Sequence, residues 1–249
     1  MKVVILGAGT AIPAKGYSPA GLYVRVAGEH LLLDAGPGTA QRLQAVGGSL
    51  FEIDRMFLTH FHLDHCLDMA SVLFALRIPQ PARAKPLTIY GPRGLKRLFR
   101  GLNTAFHGRL APRTYRLTLR ELDETRVRLP GYAVTTRRMT HSAAALGYRL
   151  EAAGKSMAYS GDTDVCPAIV GLGRDADVLI LECSHPDERK VSGHLTPTEC
   201  GRIAAEARCR SLVLTHFYPV FRGDDIRARV RRAFRGRLTL ARDLLPLRF

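Results

Sequence analysis

The sequence lacks any apolar run of the roughly 20 residues that a helix needs to cross a bilayer. Its N-terminal apolar stretch reaches glycine at position 7, which is too short for a signal peptide, and we predict a first strand there. Hydrophobic residues make up 46% and charged residues 24% of the 249 residues, proportions that favour a folded globular protein over a disordered one. We therefore expect a cytoplasmic protein with no membrane partner.

Cysteine is scarce, and its spacing offers no pairing. The five cysteines form an odd set without a CxxC pair, which argues against both a disulfide framework and a structural zinc finger. We expect buried thiols, of which only Cys66 lies beside a cluster of histidines. The sequence also lacks a GxGxxG or GKS/T motif at the start of a helix, so we expect no nucleotide cofactor.

Acidic residues are outnumbered by basic ones, 22 against 37, which gives a net charge of +15. Such a surplus is typical of proteins that bind a polyanion such as RNA, because basic side chains neutralise its phosphates. Arginine supplies 31 of the 37 basic residues, so a compositional bias of the genome is the alternative explanation. The basic residues are densest at 113–138 and 222–237, and charge alone leaves the choice open.

Short strands and helices alternate along the whole chain, without a repeat or a linker. Apolar alternation and turn residues predict strands at 2–6, 22–26, 30–34, 55–59, 87–90, 114–119, 125–128, 132–138, 145–151, 155–159, 177–181, 211–215, 237–241 and 244–248. Helical spacing predicts helices at 37–46, 64–76, 92–105, 165–171, 196–208 and 224–234, the fifth with a capping box of Thr196 and Glu199. This mixture indicates sheets covered by helices, and we predict one domain over residues 1–249.

The segment after the strand at 55–59 carries four ligand-type side chains within six positions: His60, His62, Asp64 and His65. Two histidines spaced two apart in an extended turn can face one metal ion, while the next two residues enter a helical turn and can face a second ion. Imidazole and carboxylate are the ligands that zinc prefers and that manganese and iron accept. A solvated polar turn is the alternative, but this density between apolar elements favours a metal site.

Three further ligand-type residues also follow predicted strands. His141 follows the strand at 132–138, Asp162 the strand at 155–159, and His216 the strand at 211–215. Strand ends lead into loops where a rigid scaffold brings functional groups together. We therefore expect these three side chains to join the histidine-rich segment.

Taken together, these motifs resemble those of a known family. The segment Thr59 to His65 resembles the hallmark motif of the metallo-β-lactamase superfamily. His141, Asp162 and His216 resemble the later ligand motifs of that family, in the same order, and Asp34 resembles its first-motif aspartate. The resemblance covers most of the chain. It implies an α/β (α+β) fold, the four-layer αββα sandwich of two mixed sheets flanked by helices.

The resemblance also implies a dinuclear centre for two divalent metal ions, with zinc expected and manganese or iron as alternatives. Asp34 is expected to brace the centre rather than to bind metal. A hydroxide held between the ions would be the nucleophile of a hydrolase, and the first aspartate of the hallmark motif would also accept its proton. The implied ligands are His60, His62 and His141 for one ion, Asp64, His65 and His216 for the other, and Asp162 bridging both.

A second pair of residues bears on the substrate. Glu182 ends a predicted apolar strand, and His194 lies in the short segment before the helix at 196–208. They resemble the ribonuclease-Z-type phosphodiesterase branch, whose members are endonucleases, and in which a glutamate orients a histidine that protonates the leaving oxygen. For His194, a loop histidine beside a helix cap is the alternative. A thioesterase or lactonase with the same two metals is the second enzymatic hypothesis, and a basic RNA-binding protein with a structural metal is the non-enzymatic one.

Two departures from ribonuclease Z concern the size of the substrate. Only 20 residues separate His141 from Asp162, where ribonuclease Z carries a long arm that grips tRNA. Leu181 stands where the pattern of that branch has a histidine before the glutamate. Both departures favour a phosphodiester smaller than tRNA, or a different grip on RNA. A homodimer would fit the relatives.

Overall fold

Two seven-stranded sheets form the centre of the described part of the chain. The structure, a computed structural model, describes residues 1–78, 80–221 and 225–249. The first sheet contains β1 (Lys2–Gly7), β2 (Gly21–Val26), β3 (Glu29–Leu33), β4 (Arg55–Phe57), β5 (Leu87–Pro92), β6 (Leu117–Leu122) and the C-terminal β14 (Leu245–Leu247), in the order β14-β1-β2-β3-β4-β5-β6. The second contains β7 (Thr125–Leu129), β8 (Tyr132–Arg138), β9 (Leu146–Ala152), β10 (Lys155–Tyr159), β11 (Val178–Glu182), β12 (Ser211–Thr215) and β13 (Arg237–Leu240), in the order β13-β12-β11-β10-β9-β8-β7.

Both sheets are mixed, as predicted. Strands β3 to β6 run parallel to one another, and so do β10 to β13. The other neighbouring strands are antiparallel. Parallel strands end at a common edge, where loops with functional side chains can meet. Asp34 follows β3 at this edge of the first sheet, and His216 follows β12 at the corresponding edge of the second.

Helices cover the outer face of each sheet. The first sheet carries α1 (Thr39–Ala45), α2 (Leu63–Cys66), α3 (Asp68–Leu76) and α4 (Leu95–Ala105), and the second carries α5 (Pro167–Gly173), α6 (Pro197–Ala207) and α7 (Ile226–Arg231). Two single 3-10 turns lie at Leu50–Glu52 and Asp187–Arg189. The capping box predicted from Thr196 and Glu199 is present at the start of α6. The predicted four-layer sandwich is confirmed.

The apolar core between the sheets joins the two halves of the molecule. Phe57 of β4 meets the ring of Tyr148 of β9 edge to face, with the ring centroids 5.5 Å apart. Both side chains are buried, and burial of an aromatic or aliphatic side chain of this size contributes about 1.5–3 kcal/mol. The Tyr148 hydroxyl also donates to the carbonyl of Leu58 at 2.6 Å. The end of β4 is therefore fixed by the opposite sheet just before the histidine-rich segment begins.

Two predicted helices differ from the observed ones. The helix predicted at 64–76 is interrupted at Leu67, because the Asp68 amide donates to the carbonyl of Ala35 at 2.8 Å instead of continuing the helical ladder. Pro92 belongs to β5 rather than to the first turn of the next helix, which begins after Gly94 in a left-handed conformation with φ of 102°.

The last predicted helix, 224–234, is shorter than expected. Residue 224 lies outside the described residues, and the observed helix spans Ile226–Arg231 with Asp225 as its N-cap. No helix in the described part of the chain combines the length and the apolar character that crossing a membrane requires.

Candidate metal centre

The histidine-rich segment leaves β4 and is anchored by a buried aspartate. Asp34 accepts hydrogen bonds from the Thr59 amide at 2.7 Å, from the Thr59 hydroxyl at 2.9 Å and from the Tyr159 hydroxyl at 2.9 Å. It also accepts from Nδ1 of His65 at 2.8 Å. Asp34 therefore lies behind the candidate ligands and orients them, in agreement with the bracing role expected from the sequence.

The seven predicted ligands come together in two adjoining groups. One group consists of His60, His62, His141 and Asp162, and the other of Asp64, His65 and His216; within each group the candidate ligand atoms all lie within 4.8 Å of one another. The carboxylate of Asp162 stands between the groups. Its Oδ1 is 3.2 Å from Nε2 of His65 and 3.5 Å from Nε2 of His216, while its Oδ2 is 3.7 Å from Nε2 of His60 and of His141.

Hydrogen bonds at the rear of the rings fix which nitrogen faces the centre. Nδ1 of His65 donates to Asp34, and Nδ1 of His141 donates to the carbonyl of Gly193 at 2.8 Å. The Ser184 hydroxyl donates to Glu182 at 2.6 Å, so Nδ1 of His216, 2.9 Å from the same oxygen, is the donor of that pair. Each of these three histidines therefore turns Nε2 toward the centre, and this nitrogen carries the free lone pair when the ring is neutral.

Ring nitrogens at the centre lie within hydrogen-bond distance of one another. Nε2 of His65 is 3.1 Å from Nε2 of His216, and Nε2 of His141 is 3.1 Å from Nδ1 of His62. Within the described residues, the buried atoms Nε2 of His60 and Oδ1 of Asp162 have no hydrogen-bond partner. Buried acceptors without donors are costly, and facing lone pairs repel unless a cation lies among them. The donor set of five imidazoles and two carboxylates therefore fits divalent metal ions.

The charge states also suit metal binding. Burial opposes ionisation of Asp64, but the hydrogen bond and charge of His216 and the charge of His65 outweigh it and lower its pKa to about 2. Burial and the neighbouring His65 lower the pKa of His60 well below its usual range. Burial also lowers the pKa of His65, but the carboxylates of Asp162 and Asp34 outweigh it and raise that pKa well above the usual value. The raised pKa of His65 shows that the two carboxylates favour a positive charge at this ring, either a proton on Nε2 or a metal ion in its place.

Glu182 and His194 meet at the side of this cluster. Oε1 of Glu182, which is buried at the end of β11, lies 2.9 Å from Nδ1 of His194. Burial lowers the pKa of His194, but the hydrogen bond and charge of Glu182 outweigh it and raise the pKa above its usual value. One ring nitrogen of His194 and the nearest atoms of Asp162 and His216 all lie within 4.8 Å of one another. The pair expected from the sequence is therefore formed, beside the candidate ligands.

The loop that carries His194 is held by a lysine. Nζ of Lys190 donates to Asp164 at 2.6 Å, to the carbonyl of His194 at 2.5 Å and to Glu199 at 2.7 Å. Asp164 also accepts from the amide of Gly193 at 2.9 Å. Gly193 has φ of 85°, and a Cβ there would lie 3.1 Å from Nδ1 of the histidine to which its carbonyl is bonded. A side chain at this position would press on the centre, so the loop needs glycine.

Sequence reasoning missed the residues that connect these parts. Ser184 bonds both to Glu182 and to His216, and so links the glutamate to a candidate ligand. Lys190 and Asp164 hold the loop, although neither stands out among the many charged residues of the chain. The position of Ser184, two residues after the glutamate at a strand end, is the one signal that could have identified it.

The cysteines take no part in the centre. All five thiols are free and buried, as expected from their spacing. Cys66 lies in α2 and packs into the core under the first sheet. Burial raises the pKa of this thiol to about 12, so it is uncharged at neutral pH. It is a packing residue beside the hallmark motif.

Comparison with known proteins identifies the class to which this fold and centre belong. The family model described as the beta-lactamase superfamily domain matches residues 29–217, about three quarters of the chain, and that range contains all seven candidate ligands. The chain therefore belongs to the metallo-β-lactamase superfamily, and it is a metal-dependent hydrolase. Divalent metal binding follows from the family and from the clustered histidines and aspartates.

Within the superfamily, the chain belongs to the ribonuclease-Z-like branch. The ribonuclease Z of Kineococcus radiotolerans is 30% identical over 297 aligned positions, which cover 98% of this chain and 93% of the relative. These positions exceed the 249 residues of the chain by 48, so the relative has segments without a counterpart here.

Two solved structures share the fold over nearly their whole length. The metallo-β-lactamase fold protein YhfI from Bacillus subtilis has a TM-score of 0.86 at 22% identity, and the match covers 99% of this chain and 98% of that one. The short form of human tRNase Z has a TM-score of 0.82 at 25% identity, with 100% and 99% covered.

Proposed function

We propose that this chain is a ribonuclease-Z-like phosphodiesterase that uses two divalent metal ions, zinc with manganese or iron as alternatives. The observation that carries the proposal is the 2.9 Å contact between Glu182 and His194 beside the candidate ligands. An alkoxide is a strong base, so its departure from phosphorus is assisted by a proton donor. The thiolate that leaves a thioester has no such need. The pair therefore favours a phosphodiester over the thioester of the second hypothesis.

The proposed ligand arrangement follows the two groups of side chains. His60, His62 and His141 would hold one ion, Asp64, His65 and His216 the other, and Asp162 would give one oxygen to each. When bound, the ions would lower the pKa of a water and neutralise charge on the phosphoryl oxygens. The partnerless buried atoms of His60 and Asp162 support this arrangement.

The chain's own residues would move the protons. Asp64 is ionised at neutral pH, and it would accept the proton of the attacking water. His194 would hold a proton on the ring nitrogen that Glu182 leaves free, and would give it to the leaving oxygen. Glu182 would keep the ring in place through its contact with Nδ1, and Ser184 would hold the second oxygen of Glu182. Glu182 and His194 would thus act as one unit.

RNA is the phosphodiester we propose as substrate. The net charge of +15 supports a polyanion, and the ribonuclease Z names of the relatives support RNA. The short connection between His141 and Asp162 leaves no room for an arm, which favours short or single-stranded RNA over folded tRNA. A homodimer and a single domain over residues 1–249 stay predictions; the core shared by both sheets supports the single domain.

The decisive experiment compares two leaving groups on metal-loaded protein. Wild type should hydrolyse bis-p-nitrophenyl phosphate and the dinucleotide uridylyl-(3′,5′)-uridine, and EDTA should abolish both activities. His194→Asn should lower kcat/KM for the dinucleotide by about 10²- to 10⁴-fold, the usual contribution of a general acid. The loss should be smaller for the nitrophenyl ester, since nitrophenolate leaves without a proton.

A matched control is His107→Asn, the same substitution at an exposed histidine that is not among the candidate ligands, at a positive φ that asparagine tolerates. This variant should keep both activities. Equal losses on both substrates in His194→Asn would show that His194 is not the acid. Turnover of thioesters or lactones without any diester cleavage would favour the thioesterase or lactonase instead.

A further inference from the structure

A groove of 680 Å³ lies beside the candidate metal centre. Its lining includes Ile12 from the loop after β1, Arg189 from the 3-10 turn, and Tyr218, Pro219 and Val220 from the segment after β12. Ile12 is 52% exposed, so a large apolar side chain faces solvent at this groove. None of these residues has a part in the roles proposed above.

The Tyr218 ring connects the groove to the candidate metal centre. Tyr218 stacks on His185, with ring centroids 4.8 Å apart and an angle of 20° between the ring planes. The Tyr218 ring centroid is 5.8 Å from that of His216 and 6.1 Å from that of His194. The flat surface of the Tyr218 ring is therefore the direct neighbour of His216, a candidate ligand, and of His194, the proposed acid.

The polar ends of these side chains are free in the described part of the chain. The Arg189 guanidinium makes no ion pair or hydrogen bond to residues 1–78, 80–221 or 225–249, whereas its neighbour Glu188 pairs with Arg229. The Tyr218 hydroxyl and the His185 ring nitrogens likewise have no hydrogen bond within those ranges. Tyr218 is a half-buried ring that lines the groove and stacks on His185, and such a ring with an unused hydroxyl is suited to a planar polar ligand.

We propose that the His185–Tyr218 pair is the subsite for the nucleobase of the nucleoside whose 3′-oxygen leaves. The proposal rests on the phosphodiesterase function, because the position of His194 decides which side of the phosphate this groove serves. His194 gives its proton to the leaving oxygen, so the nucleoside attached to that oxygen lies on the His194 side. Its base stacks on the Tyr218 ring, and Arg189 pairs with the preceding phosphate.

Abasic dinucleotides test which side of the phosphate the pair serves. In wild type, removing the base of the leaving nucleoside from uridylyl-(3′,5′)-uridine should lower kcat/KM by roughly 5- to 150-fold, the range for a base stacked on an aromatic side chain. Removing the other base should have a smaller effect. In Tyr218→Leu the penalty for the missing leaving-side base should fall to less than about 3-fold. A penalty that survives in Tyr218→Leu, or an equal penalty for either base, would overturn the proposal.

A binding experiment separates this proposal from the catalytic one. Calorimetry on zinc-loaded wild type should show tighter binding of adenosine 3′-monophosphate than of inorganic phosphate, by roughly 5-fold or more. Tyr218→Leu should lose most of this preference, and Phe106→Leu, the same kind of change at a 48% exposed ring outside the groove, should keep it. If wild type shows no preference, the base subsite is wrong. If the preference depends on Tyr218 while no diester is cleaved, base binding at Tyr218 stands, but its assignment to a leaving nucleoside fails together with the phosphodiesterase proposal.

Discussion

The two sheets supply the centre in different ways. The first sheet contributes four candidate ligands from one six-residue segment after β4. The second sheet contributes single residues from several loops, among them His141, Asp162 and His216, together with the Glu182–His194 pair. The first contribution is local and defines the superfamily. The second is spread along the chain, and it carries the Glu182–His194 pair on which we expect substrate choice to depend.

The largest effect is expected where the two contributions meet. Asp162→Asn removes the negative charge between the two groups of ligands. We expect kcat for bis-p-nitrophenyl phosphate to fall by about 10³-fold or more, because metal-based charge stabilisation is worth several kcal/mol. Metal content by elemental analysis should fall with it. Asp175→Asn, at an exposed aspartate paired with Arg208, is the control. Full metal content together with full activity in Asp162→Asn would contradict this prediction. It would show that the centre does not need a charge between the two groups of ligands.

The next effect concerns the hydroxyl that links the second-sheet residues. Ser184→Ala removes the partner of both Glu182 and Nδ1 of His216. We expect metal affinity to fall by about 10- to 100-fold, the usual cost of losing a hydrogen bond behind a metal ligand. Competition with a chelator measures this affinity. Ser184→Thr keeps a hydroxyl and should recover part of it. Unchanged affinity in Ser184→Ala would show that this hydroxyl does not help His216 to hold metal.

A smaller effect is expected from the lysine that fixes the His194 loop. Lys190→Met keeps the length of the side chain but loses its three hydrogen bonds. We expect kcat for the dinucleotide to fall by about 10-fold, because a looser loop positions the proton donor less well. Metal content should stay unchanged, and Lys190→Arg should restore part of the rate. A loss of metal together with activity would show that this loop also supports His141 through Gly193.

The smallest effect concerns stability against acid. Burial opposes ionisation of Asp187, but hydrogen bonds from Thr198 and Arg229 outweigh it and lower its pKa to about 2. Because the folded pKa lies below the unfolded one, its contribution is present above about pH 4 and is lost as the pH falls toward 2. At pH 7, Asp187→Asn should lower the free energy of unfolding by about 1 kcal/mol. Urea denaturation at pH 7 and pH 3 measures this, and an equal gap at both would contradict the assignment.

The local and the distributed halves of the centre also differ in how far sequence predicts them. The histidine-rich segment was predictable because the spacing of its ligand-type residues determines which of them can face the same metal ion. The break in the helix at Leu67 was not, because it depends on a hydrogen bond to a carbonyl that lies 33 residues earlier in the chain. Serine and lysine are common residue types. The importance of Ser184 and Lys190 comes from the residues that they contact in the folded structure, and the sequence does not show those contacts. The ligand and catalytic roles themselves stay predictions until metal is measured.

The pairing of β14 with β1 has a consequence for how the chain folds. Val3 lies opposite Leu247, and Asp243 accepts hydrogen bonds from the amides of Ala8 and Ser18. The first sheet therefore cannot be completed until residues near 247 have left the ribosome, although its other six strands lie before residue 123. Until then β1 presents an open strand edge, which other chains can join. Contacts over such sequence distances also slow folding, which prolongs the time during which that edge is exposed.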